Sequence, residues 1–212
     1  MNKRLLVFVF SILLSGVSFA QFSVGAGGML NYTGISGEAA PNMKFENAAN
    51  FGINIFGDYK INDEIGLSIG AEYARSGVIV AYDFPSYVEP RDSMEAYLDY
   101  FSFPVSVKFF TSNYTYFLGG FRFALLNDGF AKDLQTGSTS DVKNSVKDYN
   151  IAVEFGFGLK LPLFEKWKWF IEGRYSRGVK NVSNISDATN SLFPEDFKSV
   201  DFQLMLGVYY DF

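Results

Sequence analysis

The chain has no cysteine, no histidine and only two tryptophans in 212 residues. Without cysteine there is no disulfide staple and no thiol nucleophile. Nor is there a residue to carry lipid at an export cleavage site. Without histidine, Ser-His-Asp catalysis and histidine-ligated metals are excluded. Basic residues are outnumbered, 18 against 23 acidic ones, for a net charge of −5. An acidic chain with no basic stripe does not suit nucleic acid. Long apolar runs are also scarce: the longest, at the start, falls short of the roughly 20 residues a spanning helix needs.

What is present is aromatic. The chain holds 24 Phe and 13 Tyr, while only 19% of it is charged. For an exported domain that balance makes sense if much of the apolar surface faces lipid.

Residues 1–20 read as a signal peptide. Lys3 and Arg4 precede an apolar run from Leu5 to Leu14, and Ser18-Phe19-Ala20 fits a small-x-small cleavage site. Removing this segment takes the net charge from −5 to −7 and leaves 21–212 as one domain.

The end of the chain, "SVDFQLMLGVYYDF", shows the pattern of the rest. Val200, Phe202, Leu204, Leu206, Val208, Tyr210 and Phe212 alternate with Asp201, Gln203, Met205, Gly207, Tyr209 and Asp211. This two-residue period marks a strand with two unlike faces. Eight such stretches recur, near Phe22–Tyr32, Asn50–Ile61, Ile65–Ser76, Tyr97–Phe110, Tyr114–Leu126, Asp148–Leu161, Trp167–Arg177 and Ser199–Phe212.

Their connections alternate in length. Asn62–Glu64, Thr111–Asn113 and Pro162–Lys166 are short, whereas Thr33–Ala49, Gly77–Ala96, Asn127–Lys147 and Gly178–Lys198 are long and polar. Short turns at one end and long loops at the other characterise outer-membrane barrels. The expected fold is therefore all-β: an eight-stranded antiparallel transmembrane barrel with short periplasmic turns and four long extracellular loops. One row of each strand is bulky and apolar, as a lipid face must be. The other is Gly-, Ala- and Ser-rich, with one or two charges per strand, as a crowded lumen requires. Tyr59, Tyr114, Tyr116, Trp167, Trp169, Tyr210 and Phe212 are expected in the periplasmic aromatic girdle. Tyr32, Tyr73, Tyr97, Tyr149 and Tyr175 are expected in the extracellular one.

Four stretches carry a family resemblance: "VGAGGMLNY" (Val24–Tyr32), "SIGAEYARSG" (Ser68–Gly77), "YLDYFSFPVSVKFF" (Tyr97–Phe110) and "YFLGGFRFALL" (Tyr116–Leu126). Together they resemble the PorT-like outer-membrane barrels, also labelled porin family proteins. The resemblance implies a non-enzymatic protein of the Gram-negative outer membrane. It also implies that Phe212 serves as the signal read by the barrel-assembly machinery. The family's best-known namesake assists protein secretion across that membrane.

The lumen row gathers Asp58, Glu72, Glu154, Glu172 and Asp201 with Lys60, Lys108, Arg122, Lys160 and Arg174. Paired carboxylates can serve as acid and base. However, an eight-stranded bore is just wide enough for side chains, so near-equal opposite charges read as an ion-paired filling. The Gly-rich "FGFGLK" (Phe155–Lys160) lacks the strand–loop–helix setting of a phosphate loop. No catalytic residue, metal ligand or cofactor is expected.

Gly77–Ala96 is the most informative loop. It is expected to extend strand 3 above the bilayer, where Tyr82, Phe84, Tyr87 and Val88 offer anchors to a partner, including by strand addition. The expected function is structural or interactive, through these loops, possibly within a secretion or other outer-membrane complex. The alternatives are a small passive channel and, less in keeping with the absence of histidine, an outer-membrane enzyme. Expected partners are outer-membrane lipid, the assembly machinery and a protein at the loops.

Overall fold

The computed structural model describes residues 22–37, 43–82, 93–184, 193, 194 and 196–212. The expected signal peptide, residues 1–20, lies outside them. Nine strands occur among the described residues: β1 (Phe22–Gly37), β2 (Met43–Lys60), β3 (Ile65–Tyr82), β4 (Ser93–Phe110), β5 (Thr115–Asp133), β6 (Thr139–Asp141), β7 (Tyr149–Pro162), β8 (Trp167–Gly178) and β9 (Phe197–Asp211). Eight of them form a closed antiparallel ring. Each stave pairs with its neighbours in sequence, β5 pairs with β7, and β1 pairs with β9 to close it. Closure leaves no open edge, which lipid demands. The ninth strand, β6, only adds to the extracellular end of β5, pairing Phe130 with Asp141.

The periplasmic turns are tight because their own side chains replace the ladder. Asn62 Oδ1 accepts the N–H groups of Glu64 and Ile65. Ser112 Oγ accepts those of Tyr114 and Thr115. Both are local side-chain turns of the kind short polar residues favour.

Alternation sets the faces as the sequence implies. On β4, Phe101, Phe103, Val105 and Phe109 point out while Tyr100, Ser102, Pro104, Ser106 and Lys108 are buried. On β9, Phe202, Leu204 and Leu206 point out, with Asp201, Gln203, Met205 and Tyr209 inside. Phe51, 80% exposed on the ring's exterior, would be costly in water and is natural in lipid.

Two expectations need correction. Tyr116 does not belong to the girdle: it points into the lumen and is fully buried. Its parity decides this, since Phe117 beside it faces out. The bounds of three long loops also change: β1 runs on to Gly37 and β5 to Asp133, β3 extends to Tyr82 as expected of the Gly77–Ala96 loop, and the connection after β8 keeps nearly its expected span. β3 and β4 stay paired from Gly77↔Tyr97 up to Ala81↔Ser93. Above the girdle the inward row becomes apolar rather than ending. Val78, Val80, Ala96, Leu98 and Ala131 pack with Val142, Val146, Val182, Phe193 and Phe197 into a cluster inside the extracellular end of the ring.

Candidate functional site: the filled lumen and its two mouths

The lumen's long side chains have room because small ones face them across the strands. Arg174 lies opposite Gly156, Glu172 opposite Gly158, Glu154 opposite Gly120 and Arg122 opposite Ala152. Gly158 has a second task. A Cβ there would collide with the Tyr116 ring, as one at Gly25 would with Phe56.

Three tiers of charge result. Nearest the periplasm, Lys108 Nζ donates to both oxygens of Asp58, at 3.1 and 2.9 Å, and to the Tyr209 hydroxyl at 2.7 Å. Lys160 Nζ reaches the same carboxylate at 3.2 Å, and the Tyr209 hydroxyl donates to it as well. The rings of Phe56 and Tyr116 each lie 4.8 Å from the Lys108 ammonium.

In the middle tier, Arg174 alone serves three carboxylates. Its Nη1 lies 3.1 Å from Glu72 and 3.5 Å from Glu154, and its Nε donates to Glu172. Ser106 donates to Glu154 at 2.7 Å, and the Tyr116 hydroxyl donates to Glu172. Toward the outside, Arg122 pairs with Asp201 and donates to Ser176 Oγ at 2.5 Å. The side chains of this ladder are nearly all buried, where attraction is little screened and a lone charge is costly.

Nine of the ten lumen charges read from the sequence therefore stand in ion pairs: Asp58, Glu72, Lys108, Arg122, Glu154, Lys160, Glu172, Arg174 and Asp201. Lys60 stands apart at the periplasmic mouth, its ammonium 5.0 Å from the Phe110 ring. Tyr116 and Tyr209 complete the ladder, and residue type alone marks neither as a lumen group. Strict parity would have found both.

Above the ladder, Asn31, Thr33, Tyr100, Asn150 and Gln203 line a cavity of about 40 Å³, roofed by Val182, Phe193 and Phe197. That is room for a few waters. Asn31 Oδ1, Asn150 Oδ1, Asp201 Oδ1 and Gln203 Oε1 are buried there without a protein partner. Among the described residues no group of three or more acidic side chains is placed to hold a metal ion.

At the extracellular end Tyr82 closes β3 opposite Met43, while Phe84, Tyr87 and Val88 lie outside the described residues. Strand addition along Ile79–Ala81 is closed off, because β3 is already paired with β2 on one side and β4 on the other. Below the tip, Arg75 makes a two-point pair with Asp99, at 2.7 and 2.9 Å, beside the rings of Tyr97 and Phe130. At the chain end, Phe212 packs its ring 5.7 Å from Phe22, and its N–H donates to the Phe22 carbonyl at 3.1 Å.

A closed eight-stranded ring with an apolar exterior and a charged lumen matches one family model, that of the outer membrane protein beta-barrel domain, over residues 15–184. The chain belongs to this family. It is a β-barrel protein of the bacterial outer membrane. Among solved structures, it is similar to the outer membrane protein OprG from Pseudomonas aeruginosa, with TM-score 0.50 and 12% identity, over 90% of this chain and 95% of that one. Ail, the attachment invasion locus protein of Yersinia pestis, matches with TM-score 0.46 and 14% identity, over 90% and 99% of the two chains. The outer membrane protease OmpT from Escherichia coli matches with TM-score 0.42 and 11% identity, over 90% and 96%. At such identities only the OprG match bears on the argument, and it speaks to fold alone. No curated protein sequence matches the chain significantly.

Proposed function

We propose that this barrel is a non-enzymatic interaction protein that works at its extracellular end. The observation that carries the reading is the double filling of the lumen. The ion-pair ladder occupies the bore within the membrane, and the apolar cluster around Val80, Leu98 and Phe197 occupies the part above it. Between them remains space for only a few waters. A filled bore leaves no route for a solute. Carboxylates consumed by Arg174 and Lys108 are in no position to act as acid and base.

The strands rising above the girdle then serve as a rigid stalk. They carry the stretch between β3 and β4, whose Tyr82, Phe84, Tyr87 and Val88 form the proposed binding surface. The PorT-like strand patterns fit such a barrel acting as an accessory within a secretion or other outer-membrane complex. In the same reading, Phe212 is the group presented to the assembly machinery.

Two measurements test this. Purified protein in planar bilayers is expected to give no steady ohmic conductance. A stable open step would hand the function to the channel alternative. Replacing residues 83–92 with a short Gly/Ser turn should leave heat-modifiable gel migration intact while removing the cellular phenotype of the parent. A folded variant that still complements a deletion strain would move the binding surface elsewhere.

A further inference from the structure

The opposite mouth of the barrel holds a second feature, one that short periplasmic turns alone do not lead one to expect. Inside the ring's periplasmic end is an open cavity of about 240 Å³. It is lined by Lys60, Lys160, Lys168, Asp58 and Asp211, with Phe110, Tyr114, Ser112 and Asn113 among its other walls. Strand ends build most of it, and the Thr111–Tyr114 turn contributes the rim.

The charges of this cavity do not balance once their partners are assigned. Asp211 is taken by Lys168 at 2.6 Å and by the Ser23 hydroxyl at 2.7 Å. Asp58 is taken by Lys108, Lys160 and Tyr209. One carboxylate thus answers two ammonium groups, and the other Lys108 neighbour, Glu172 at 3.7 Å, is itself held by Arg174 and Tyr116. Lys60 adds a third ammonium. Among the described residues no carboxylate lies within ion-pair distance of it. Its ammonium and that of Lys160 stand 5.0 and 5.2 Å from the centroid of the same Phe110 ring. The turn carboxylates Asp63, Glu64 and Glu165 are exposed and do not line the cavity.

The tiers above run the other way, with three carboxylates on Arg174 in the middle and a balanced Arg122–Asp201 pair beyond it. Among the described charges along the bore, positive charge therefore collects where the lumen opens to the periplasm. A walled cavity with two ammonium groups aimed at one aromatic ring, one of them lacking an acidic partner, has the chemistry to hold an anion. The rings of Phe110 and Tyr114 give that anion's organic body an apolar wall, while Ser112 and Asn113 supply polar groups at the rim.

We propose that the periplasmic mouth is a binding site for a small phosphate- or carboxylate-bearing ligand, held between Lys60 and Lys160 against Phe110. The site is independent of the extracellular reading, since it lies at the other end of a filled bore. The anion has two possible sources, a free periplasmic solute and the headgroup of an anionic lipid reaching over the rim.

The test uses the folded full barrel in nanodiscs and follows the amide signals of Ser112, Asn113 and Tyr114 and the Lys60 ammonium signal by NMR. Inorganic phosphate and acetate are titrated at constant ionic strength against chloride in zwitterionic discs. A parallel sample uses phosphatidylglycerol discs without either. Saturable shifts with phosphate or acetate, weakened about tenfold or more in Lys60→Gln and unchanged in Lys166→Gln on the outer rim, support a free anion. Shifts that appear only with phosphatidylglycerol, and vanish in Lys60→Gln, support the headgroup. Should Lys60→Gln fail to migrate as a folded barrel, the parent's own Lys60 signal must still move with the same midpoint as the turn amides. The absence of any saturable shift in all three arms, or shifts indifferent to Lys60, overturns the site.

Discussion

Arg174→Met is the sharpest perturbation of this fold. The guanidinium is almost fully buried and contacts Glu72 at 3.1 Å, Glu154 at 3.5 Å and Glu172 through Nε. Methionine keeps much of the volume and removes the charge. Breaking one buried pair typically costs about 3–5 kcal/mol, because the abandoned partner stays buried and uncompensated. Here three carboxylates lose their common cation. Among the described residues only Glu172 retains another at ion-pair distance, Lys108 at 3.7 Å, while Arg122 acts on Glu72 and Glu154 from farther off. The cost should therefore sit near the top of that range, at about 5 kcal/mol.

Neutralising a carboxylate should restore part of the loss. Glu72→Gln in the Arg174→Met background removes one orphaned charge and is expected to recover roughly 1–3 kcal/mol, the usual coupling between residues in contact. Urea-dependent folding into lipid vesicles reads this directly. The signal is tryptophan fluorescence, since Trp167 and Trp169 both lie on the exterior near the periplasmic edge. If Arg174→Met stays within about 0.5 kcal/mol of the parent, as ordinary surface changes do, the ladder does not hold the barrel. If the double variant is no more stable than the single one, the carboxylates are not what Arg174 serves.

Three further outcomes follow from the same geometry. Leu206→Arg, on the outer face of β9, should cost about 2–4 kcal/mol in the vesicle folding assay, while Val200→Arg near the extracellular end should cost about 0–1; equal costs would contradict the depth assignment. Gly158→Ala places a Cβ against the Tyr116 ring and should cost about 1–3 kcal/mol by overpacking, with Gly28→Ala, whose Cβ meets nothing within 4 Å, close to neutral in the same assay. In the extracellular β5–β6 turn, backbone N–H bonds from Thr136 and Gln135 hold the Asp133 carboxyl below its usual range; a depressed folded value makes this stabilisation present above the unfolded value and lost as pH falls through the folded one, so amide exchange at Gln135 and Thr136 should lose protection only at acid pH.

The ring itself was legible from sequence, because a closed barrel in lipid forces one residue period and one loop pattern on the whole chain. Phe101 to Phe109 and Ile151 to Leu161 declare their faces without any tertiary information. Residue type suits Tyr116 to a girdle, yet its side chain lies inside. Parity, with Phe117 outside, outranks residue type inside a ladder. The strand extensions were only partly visible, since Val78, Val80 and Leu98 belong to an interior cluster whose other half comes from Val182 and Phe197 near the far end of the chain. The lumen charges could be enumerated, but their pairing could not. Which ammonium reaches Asp58 on β2 depends on how stagger brings β4 and β7 to the same height across the bore, and strand sequence does not encode that distance locally.

Why the lumen is charged at all follows from what assembly must avoid. A buried ion pair is seldom more stabilising than a well-packed apolar filling. An all-apolar lumen would, however, leave the two faces of every strand alike. A one-residue slip in register would then carry little cost, although such a slip turns every side chain over. With Glu172 and Arg174 on β8, or Asp201 on β9, the slipped register puts charge into hydrocarbon. For Arg174 alone the penalty is about 2–4 kcal/mol. Each of β2, β3, β4, β5, β7, β8 and β9 carries at least one of the paired lumen charges. β1 instead carries Asn31 and Thr33, whose side chains donate to the carbonyls of Arg75 and Gly77 on β3, across the intervening β2. The ladder therefore acts on every other stave as a marker of which face is the inside, and β1 has its own polar pins. Arg174→Met separates this role from stability: beyond lowering the folded barrel's stability, it should raise the fraction of chains that insert without acquiring heat-modifiable migration. Glu72→Gln should leave that fraction high while recovering stability, because β8 would still lack its basic marker. Recovery of both together would mean that the charges stabilise the finished barrel and do nothing to direct its assembly.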